Sequence, residues 1–391
     1  TEIYTLSLHD ALPICAAFSD YDPLVIKTTW TGFPNVFSPD WARYCDKRAQ
    51  QTCDQAKDDS WLFGYFLDNE LEWYGKTYRE EALFDEGAKL PADNSAKLAL
   101  VAQLKAKYGQ VEALNEAWGS QFASWDDILG RTELSGPRAD AVLIDKLAYV
   151  DLVAELYFKG ACEAIRKHDP NHMIIGSRFA GNAPDAAWRA CGRYSDIVTF
   201  NYYPTIDFES GAAPELAETW KEYHELCGGK PMMLTEWSFP ALDSGLPCMH
   251  GAGMRVDTQE QKAKCYEVFQ KTLFSLPFMV GSDYFMWVDE PALGISSTFP
   301  EDSNYGLVTE QDEVYTALTE TAARVNAMAY GLHSGETPAL SVRFEGEGAE
   351  AACIVENQGG VAVTADCAFW LDGADRSEER RVGKECRSRW S

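Results

Sequence analysis

The chain reads as an α/β protein: a (β/α)8 TIM barrel with strands 3–8 present, followed by the start of a small β domain. Three observations predict this. Short β-rich apolar runs alternate with amphipathic helical stretches, the pattern of a parallel sheet with crossover helices. Two of the runs deliver a carboxylate at their ends, Gly-Tyr-Phe-Leu-Asp-Asn-Glu at 64–70 and Leu-Thr-Glu-Trp-Ser-Phe at 234–239. A buried parallel strand that ends in a glutamate is how a β/α barrel places reactive groups. Beyond residue 335 the pattern changes to antiparallel-like alternation.

Taken in order, the strand candidates are Leu24–Thr29, Trp61–Leu67, Met173–Gly176, Ile197–Phe200, Pro231–Leu234 and Val280–Trp287. Six strands leave two of an eight-stranded barrel upstream. Ser38-Pro39-Asp40 opens a helix with an N-cap serine and proline at the first helical position. An insertion of roughly 70 residues follows the second strand and holds helices at Leu98–Tyr108 and Val111–Trp118. A long helix covers about Asp145–Lys167. Asp257 and Glu260 form a capping box for the next helix. The last, about Val314–Tyr330, closes on Gly331 as its C′ residue. Leu340–Phe344, Ala351–Glu356 and Val361–Trp370 alternate as antiparallel strands. The expected division is a catalytic domain over 15–335 and a β unit over 336–375.

Both termini, 1–14 and 376–391, are expected to be foreign. Thr1–Ile14 translates an oligonucleotide whose reverse complement translates as Arg376–Arg389, and the pair resembles sequencing-adapter sequence. A net charge of −27 argues against nucleic acid or an anionic membrane as partner. Neutral carbohydrates are compatible with it, and 12 Trp and 18 Tyr suit sugar-stacking surfaces as well as an aromatic core. None of the 11 cysteines forms a CxxC pair, so no zinc ribbon or redox motif is expected. Cys45 and Cys53, eight residues apart on a helix, lie about 12 Å apart, too far to bridge. His168 and His172 flank Pro170, so they read as a turn with two solvated histidines and not as a metal site. No metal or other cofactor is expected, and no compartment is read.

Two glutamates at strand ends suggest a paired-carboxylate hydrolase acting on sugars. A retaining glycosidase needs a protonated acid at the leaving oxygen and a carboxylate nucleophile across the anomeric carbon. Glu70 suits the acid/base, with the Asn69 amide placed to bind a sugar hydroxyl, and Glu236 suits the nucleophile. Asn201 and Tyr203 in Phe-Asn-Tyr-Tyr-Pro lie two apart and share one face of a strand end.

The order Asn-Glu, Asn-x-Tyr, Glu and then Trp on strands 4, 6, 7 and 8 resembles clan A glycoside hydrolases. GYFLDNELEW with the inserted KYGQVEALNEAWG is similar to families 50 (β-agarase) and 42 (β-galactosidase). The block from RVDTQEQKAKCYEVFQ through LPFMVGSDYFMWVDEP to EDSNYGLV is nearer family 50. The resemblance implies a retaining (β/α)8 enzyme for β-linked galactose-type poly- or oligosaccharides. It implies Glu70 as acid/base, Glu236 as nucleophile and Asn69 as ligand of the 2-hydroxyl. It also implies Tyr203 bonded to Glu236 and Trp287 as a stacking floor. Arg178 either keeps the nucleophile charged or only pairs with an acidic neighbour. The chain departs from family 50 after Glu236, where Trp237-Ser238-Phe239-Pro240 replaces a His-containing stretch. Another β-glycosidase, of glucosidase or mannanase type, and a catalytically silent carbohydrate-binding barrel are the alternatives. A six-stranded arc leaves strand edges and core open, so the fragment itself is expected to be inactive.

Overall fold

A computed structural model describes residues 23–25, 32–297, 299–335, 340–345 and 352–357. β1 (Pro23–Val25) and β2 (Phe33–Pro34) form a short antiparallel pair. The first strand candidate, Leu24–Thr29, therefore lies outside the described residues beyond Val25 and has no parallel partner among them. After α1 (Trp41–Ala56), every strand up to residue 282 is parallel to its neighbour. β3 (Gly64–Tyr65) pairs with β4 (Met173–Ile174). β5 (Arg178–Ala180), β6 (Val198–Asn201), β7 (Met232–Glu236) and β8 (Met279–Ser282) form one sheet in that order.

The β3 and β5 neighbourhoods are continuous. Leu67 N–H donates to Gly176 O and Glu70 N–H to Arg178 O, both at 2.9 Å, so the β3 strand keeps its register up to Glu70. Close approach fixes one glycine here: a Cβ on Gly64 would lie 2.3 Å from Met173 O. Gly176, at φ +73, separates β4 from β5, which the sequence reading took as one strand followed by Arg178.

The helices cover the outer face. α2 (Ala82–Lys89), α3 (Ser95–Tyr108), α4 (Val111–Trp118) and α5 (Trp125–Gly130) fill the insertion. α6 (Ala139–His168) leads into β4, α7 (Asp185–Tyr194) into β6 and α8 (Pro214–Leu226) into β7. α9 (Gln259–Phe274) leads into β8, and α10 (Thr316–Asn326) and α11 (Ala329–Ser334) follow. Aromatic side chains join sheet to helices. Trp188 of α7 meets Phe179 of β5 at 4.5 Å, and Trp237 just after β7 stacks on Phe269 of α9 at 4.3 Å. Phe66, Ile175, Ile197 and Met233 form a separate buried cluster on the inner face. β9 (Leu340–Glu345) and β10 (Ala352–Asn357) pair antiparallel, while Val361–Trp370 lies outside the described residues.

Local chemistry corrects several boundaries. Ser38 does not cap α1; the N-cap is Asp40, and Ser38 Oγ accepts the Asp40 N–H at 3.3 Å in a preceding turn. The capping box of α9 is Thr258–Gln261, one residue along from Asp257–Glu260; Gln261 Oε1 also takes the Asp257 N–H at 2.7 Å. The expected helix at Val314–Tyr330 is two helices broken at Ala327–Met328, and the left-handed C-cap is Gly335, with Gly331 inside α11. His168 and His172 are not solvated: His168 Nε2 meets Asp46 Oδ1 at 2.8 Å and His172 Nδ1 meets Asp169 Oδ2 at 2.6 Å. Cys45 and Cys53 are buried free thiols.

Candidate active site

The C-terminal ends of the parallel strands converge on two glutamates. Glu70 sits in left-handed backbone at φ +54, a conformation costing a non-glycine residue about 1–3 kcal/mol. Its N–H bond to Arg178 O and the buried Asp68 two residues earlier hold it there. Asp68 Oδ2 accepts from Tyr157 OH at 2.5 Å and from Ser177 Oγ at 2.6 Å, which ties this strand end to α6 and to the residue before β5.

One amide links the two glutamates. Asn201, at the end of β6, donates from Nδ2 to Glu70 Oε1 at 3.0 Å and to Asn69 Oδ1 at 3.1 Å. Its Oδ1 accepts from Thr235 Oγ1 at 2.9 Å, and Thr235 is the neighbour of Glu236. Glu236, the last residue of β7, is held from two sides. Arg178 Nη2 donates to its Oε1 at 2.5 Å, and Tyr203 OH donates to its Oε2 at 3.0 Å. Arg178 Nη2 also donates to Thr235 O at 2.9 Å, and its guanidinium lies over the Phe66 ring.

The two carboxyls receive different electrostatic treatment. Burial pushes Glu70 up to about 7, and the nearby Glu236 charge pushes in the same direction against the Asn201 bond. Burial also raises Glu236, but there the Arg178 charge and the Tyr203 and Arg178 hydrogen bonds oppose it. One group thus gains and loses its proton around neutral pH, while the other has a cation and a phenol favouring its charged form. Burial, followed by the Glu236 charge, holds the Tyr203 phenol well above its usual range, so it remains a donor.

Six of the seven residues singled out in the sequence come together here: Asn69, Glu70, Arg178, Asn201, Tyr203 and Glu236. Trp287 shares no hydrogen bond or ring contact with these six among the described residues. β8 stops at Ser282, five residues earlier, and Trp287 is 69% exposed with no ring contact among the described residues. Its carbonyl instead accepts from Leu307 and Val308 N–H in the following loop. Asp283 was missed. It follows β8 directly, and burial pushes its carboxyl up to about 7 against the Arg178 charge. The signal that marked Glu70 and Glu236, an acid at the end of an apolar strand, also marks Asp283. Among the described residues no group of three or more His, Cys, Asp or Glu could hold a metal ion.

Comparison with known proteins identifies the family. The family described as Glyco_hydro_42: Beta-galactosidase matches residues 34–242, more than half of the chain. Beta-agarase B of Vibrio sp. (strain JT0107) is 28% identical over 314 residues, covering 78% of this chain and 31% of that protein. Beta-galactosidase BgaA of Planococcus sp. (strain 'SOS Orange') is 28% identical over 211 residues, covering 51% and 28%. Among solved structures, that of an exo-beta-agarase superposes with a TM-score of 0.72 at 26% identity, over 80% of this chain and 41% of that one. The chain thus spans about a third of the length of these curated relatives. Parallel strands with outer helices and these neighbours make the fold α/β, a partial TIM barrel. The matched segment contains Asn69, Glu70, Arg178, Asn201, Tyr203 and Glu236, and the chain belongs to the Glyco_hydro_42 (beta-galactosidase) family.

Proposed function

We propose that this chain carries the reactive centre of a retaining β-glycosidase acting on galactose-type poly- or oligosaccharides. The observation that carries the reading is the unequal environment of two carboxyls at neighbouring strand ends. The names of the relatives, beta-agarase and beta-galactosidase, support the choice of sugar.

In the first step a Glu236 oxygen attacks the anomeric carbon while Glu70 gives its proton to the departing glycosidic oxygen. The aglycone leaves as an alcohol, and the sugar is held as an ester on Glu236. In the second step Glu70, now a carboxylate, takes a proton from water as that water attacks the same carbon, and Glu236 leaves. Arg178 and Tyr203 stabilise Glu236 each time it departs with its charge. In this reading Asn69 holds the sugar 2-hydroxyl, its Oδ1 being oriented by the Asn201 amide. Trp287 is exposed, so its ring face is free to stack on a sugar, the role of a subsite floor. We read residues 15–335 as the catalytic unit and the β9–β10 ladder as belonging to a separate β unit over 336–375.

The test is the anomer first released from an aryl β-galactoside or an agaro-oligosaccharide, followed by proton NMR before mutarotation. Retention gives the β-anomer first; initial α-anomer sinks the double displacement. The pH profile provides a further check. Glu70 must enter the first step protonated, so kcat/KM falls as pH rises through about 7, the value to which burial pushes it. Glu236 must enter ionised, so the rate also falls on the acid side. Glu70→Gln should remove the alkaline limb near 7, and a profile that keeps it assigns the limb to another group.

A further inference from the structure

The pairing of β6 with β7 is irregular where it reaches the site. Phe200 pairs with Leu234 and Asn201 with Glu236, so Thr235 is skipped in the register. A bulge of this kind re-aims a side chain, and here the Thr235 hydroxyl meets the side chain of Asn201. Thr235 is fully buried and Asn201 is 1% exposed, so neither can turn to water for a substitute partner.

Donors and acceptors fix the order of the bonds. A carboxylate oxygen only accepts, so the amino end of the Asn201 amide faces Glu70 Oε1 at 3.0 Å, and Nδ2 also donates to Asn69 Oδ1 at 3.1 Å. That leaves Asn201 Oδ1 as a buried acceptor, and Thr235 Oγ1 donates to it at 2.9 Å. Thr235 is itself anchored, because its carbonyl accepts Arg178 Nη2 at 2.9 Å, the same nitrogen that bonds Glu236. With Oε1 committed as an acceptor, the proton that Glu70 carries sits on Oε2. A proton on Oε1 would point at the amino group and could not reach a leaving oxygen.

We propose that Thr235 is a positioning residue for the acid/base: through the Asn201 amide, its hydroxyl keeps Glu70 Oε1 an acceptor and the transferable proton on Oε2. This rests on the glycosidase reading and adds to it a residue that acts only through another. Removing the hydroxyl leaves Asn201 Oδ1 buried without its donor, so the amide is held less firmly and bonds Glu70 less strongly. The Asn201 bond favours the charged carboxylate, as Arg178 does, against burial and the Glu236 and Glu301 charges. The Tyr203 phenol is the other titratable group acting here, and a change at Thr235 removes none of these four. A weaker Asn201 bond therefore raises the Glu70 pKa while it loosens the aim of the proton.

The test compares Thr235→Val, which keeps the shape and removes the donor, with Thr235→Ser, which keeps the donor. Both are made in the full chain, with folding checked by circular dichroism. One readout is the Glu70 titration midpoint, from the carboxyl carbon-13 resonance of glutamate-labelled protein that is lost in Glu70→Gln. The other is kcat/KM for an aryl β-galactoside against pH. Thr235→Val should raise the midpoint by about half a pH unit or more, carry the alkaline limb up with it and lower the kcat/KM plateau about tenfold. Thr235→Ser should restore the midpoint and hold the plateau within about twofold of the unmodified chain. An unmoved midpoint in Thr235→Val overturns the proposal. So does a Thr235→Ser variant that behaves like Thr235→Val, since the lost methyl and not the hydroxyl would then be responsible. The unmodified chain supplies a check that needs no variant at Thr235: the Asn201 side-chain amide protons should shift as Glu70 titrates, and an amide indifferent to that titration overturns the proposal as well. The midpoint is read whether or not anything is cleaved. A midpoint that responds as expected in a chain without hydrolytic activity sinks the hydrolase reading alone, and hydrolysis with an unmoved midpoint sinks the positioning role alone.

Discussion

Glu236→Gly should lower kcat/KM for an aryl β-galactoside by about 10⁴-fold or more, a loss of roughly 5 kcal/mol in transition-state stabilisation. The neighbouring Asp283 is a poor substitute, because burial pushes its carboxyl up to about 7 and no donor among the described residues fixes it as Arg178 and Tyr203 fix Glu236. The vacated space beside Arg178 should accept azide, a small anion that inherits the ion pair now made at 2.5 Å. Azide then attacks from the face Glu236 used and leaves an α-glycosyl azide, inverted relative to the substrate. Glu70→Gly should respond differently. Azide there gives a β-glycosyl azide, because Glu236 still forms the ester first. The loss in Glu70→Gly should also be smaller for a good leaving group, which needs little protonation. A Glu236→Gly variant that keeps more than a tenth of the activity, or rescue giving the same azide anomer in both variants, would falsify the assignment of roles.

Lys262→Met should destabilise the fold by about 3 kcal/mol, read as a fall in the urea midpoint. Lys262 is 1% exposed, and its Nζ donates to Asn304 O at 2.7 Å, Asn304 Oδ1 at 2.9 Å and Gly306 O at 3.3 Å. Two competing effects decide the size. Removing the amine relieves a desolvated ammonium but leaves two backbone carbonyls buried without this donor. The carbonyls win, because Asp289 fixes their segment. It accepts from Asn304 Nδ2 at 2.8 Å, Gly306 N–H at 2.7 Å and Tyr315 OH at 2.6 Å, so the segment cannot turn outward. A pH signature separates this from ordinary loss of packing. Burial lowers the Lys262 pKa from the ordinary 10.5 to about 7, so between these values the unfolded chain holds a proton that the folded chain has lost. Stability from this group therefore rises as pH goes from about 7 towards 10.5, and Lys262→Met should lack that part of the slope. An unchanged slope assigns the lysine a different protonation state.

The strand ends were legible because apolar runs that stop at an acid or amide have few other uses, which brought out Asn69-Glu70, Asn201 and Glu236. Tyr203 followed from the two-residue period of a strand. Trp287 came from the same kind of signal, but only the first part of its run is a strand. The apolar run Val280–Trp287 looks like one strand; β8 itself ends at Ser282, the Asp283 and Phe285 N–H groups still donate to Leu234 O and Trp237 O, and from Met286 the chain bonds Tyr305, Leu307 and Val308. Helix boundaries slipped by a residue where two capping patterns overlap, as at Asp257–Glu260 and Thr258–Gln261. Lys262 and Asn304 could not be paired from sequence at all, since they lie 42 residues apart on a helix and a loop.

The left-handed backbone at Glu70 sets function against durability. Glycine in its place would remove a backbone penalty of roughly 1 kcal/mol and a desolvated carboxyl together. Glu70→Gly should therefore raise the urea midpoint even as it removes the carboxyl, so the two effects of this one position can be read separately.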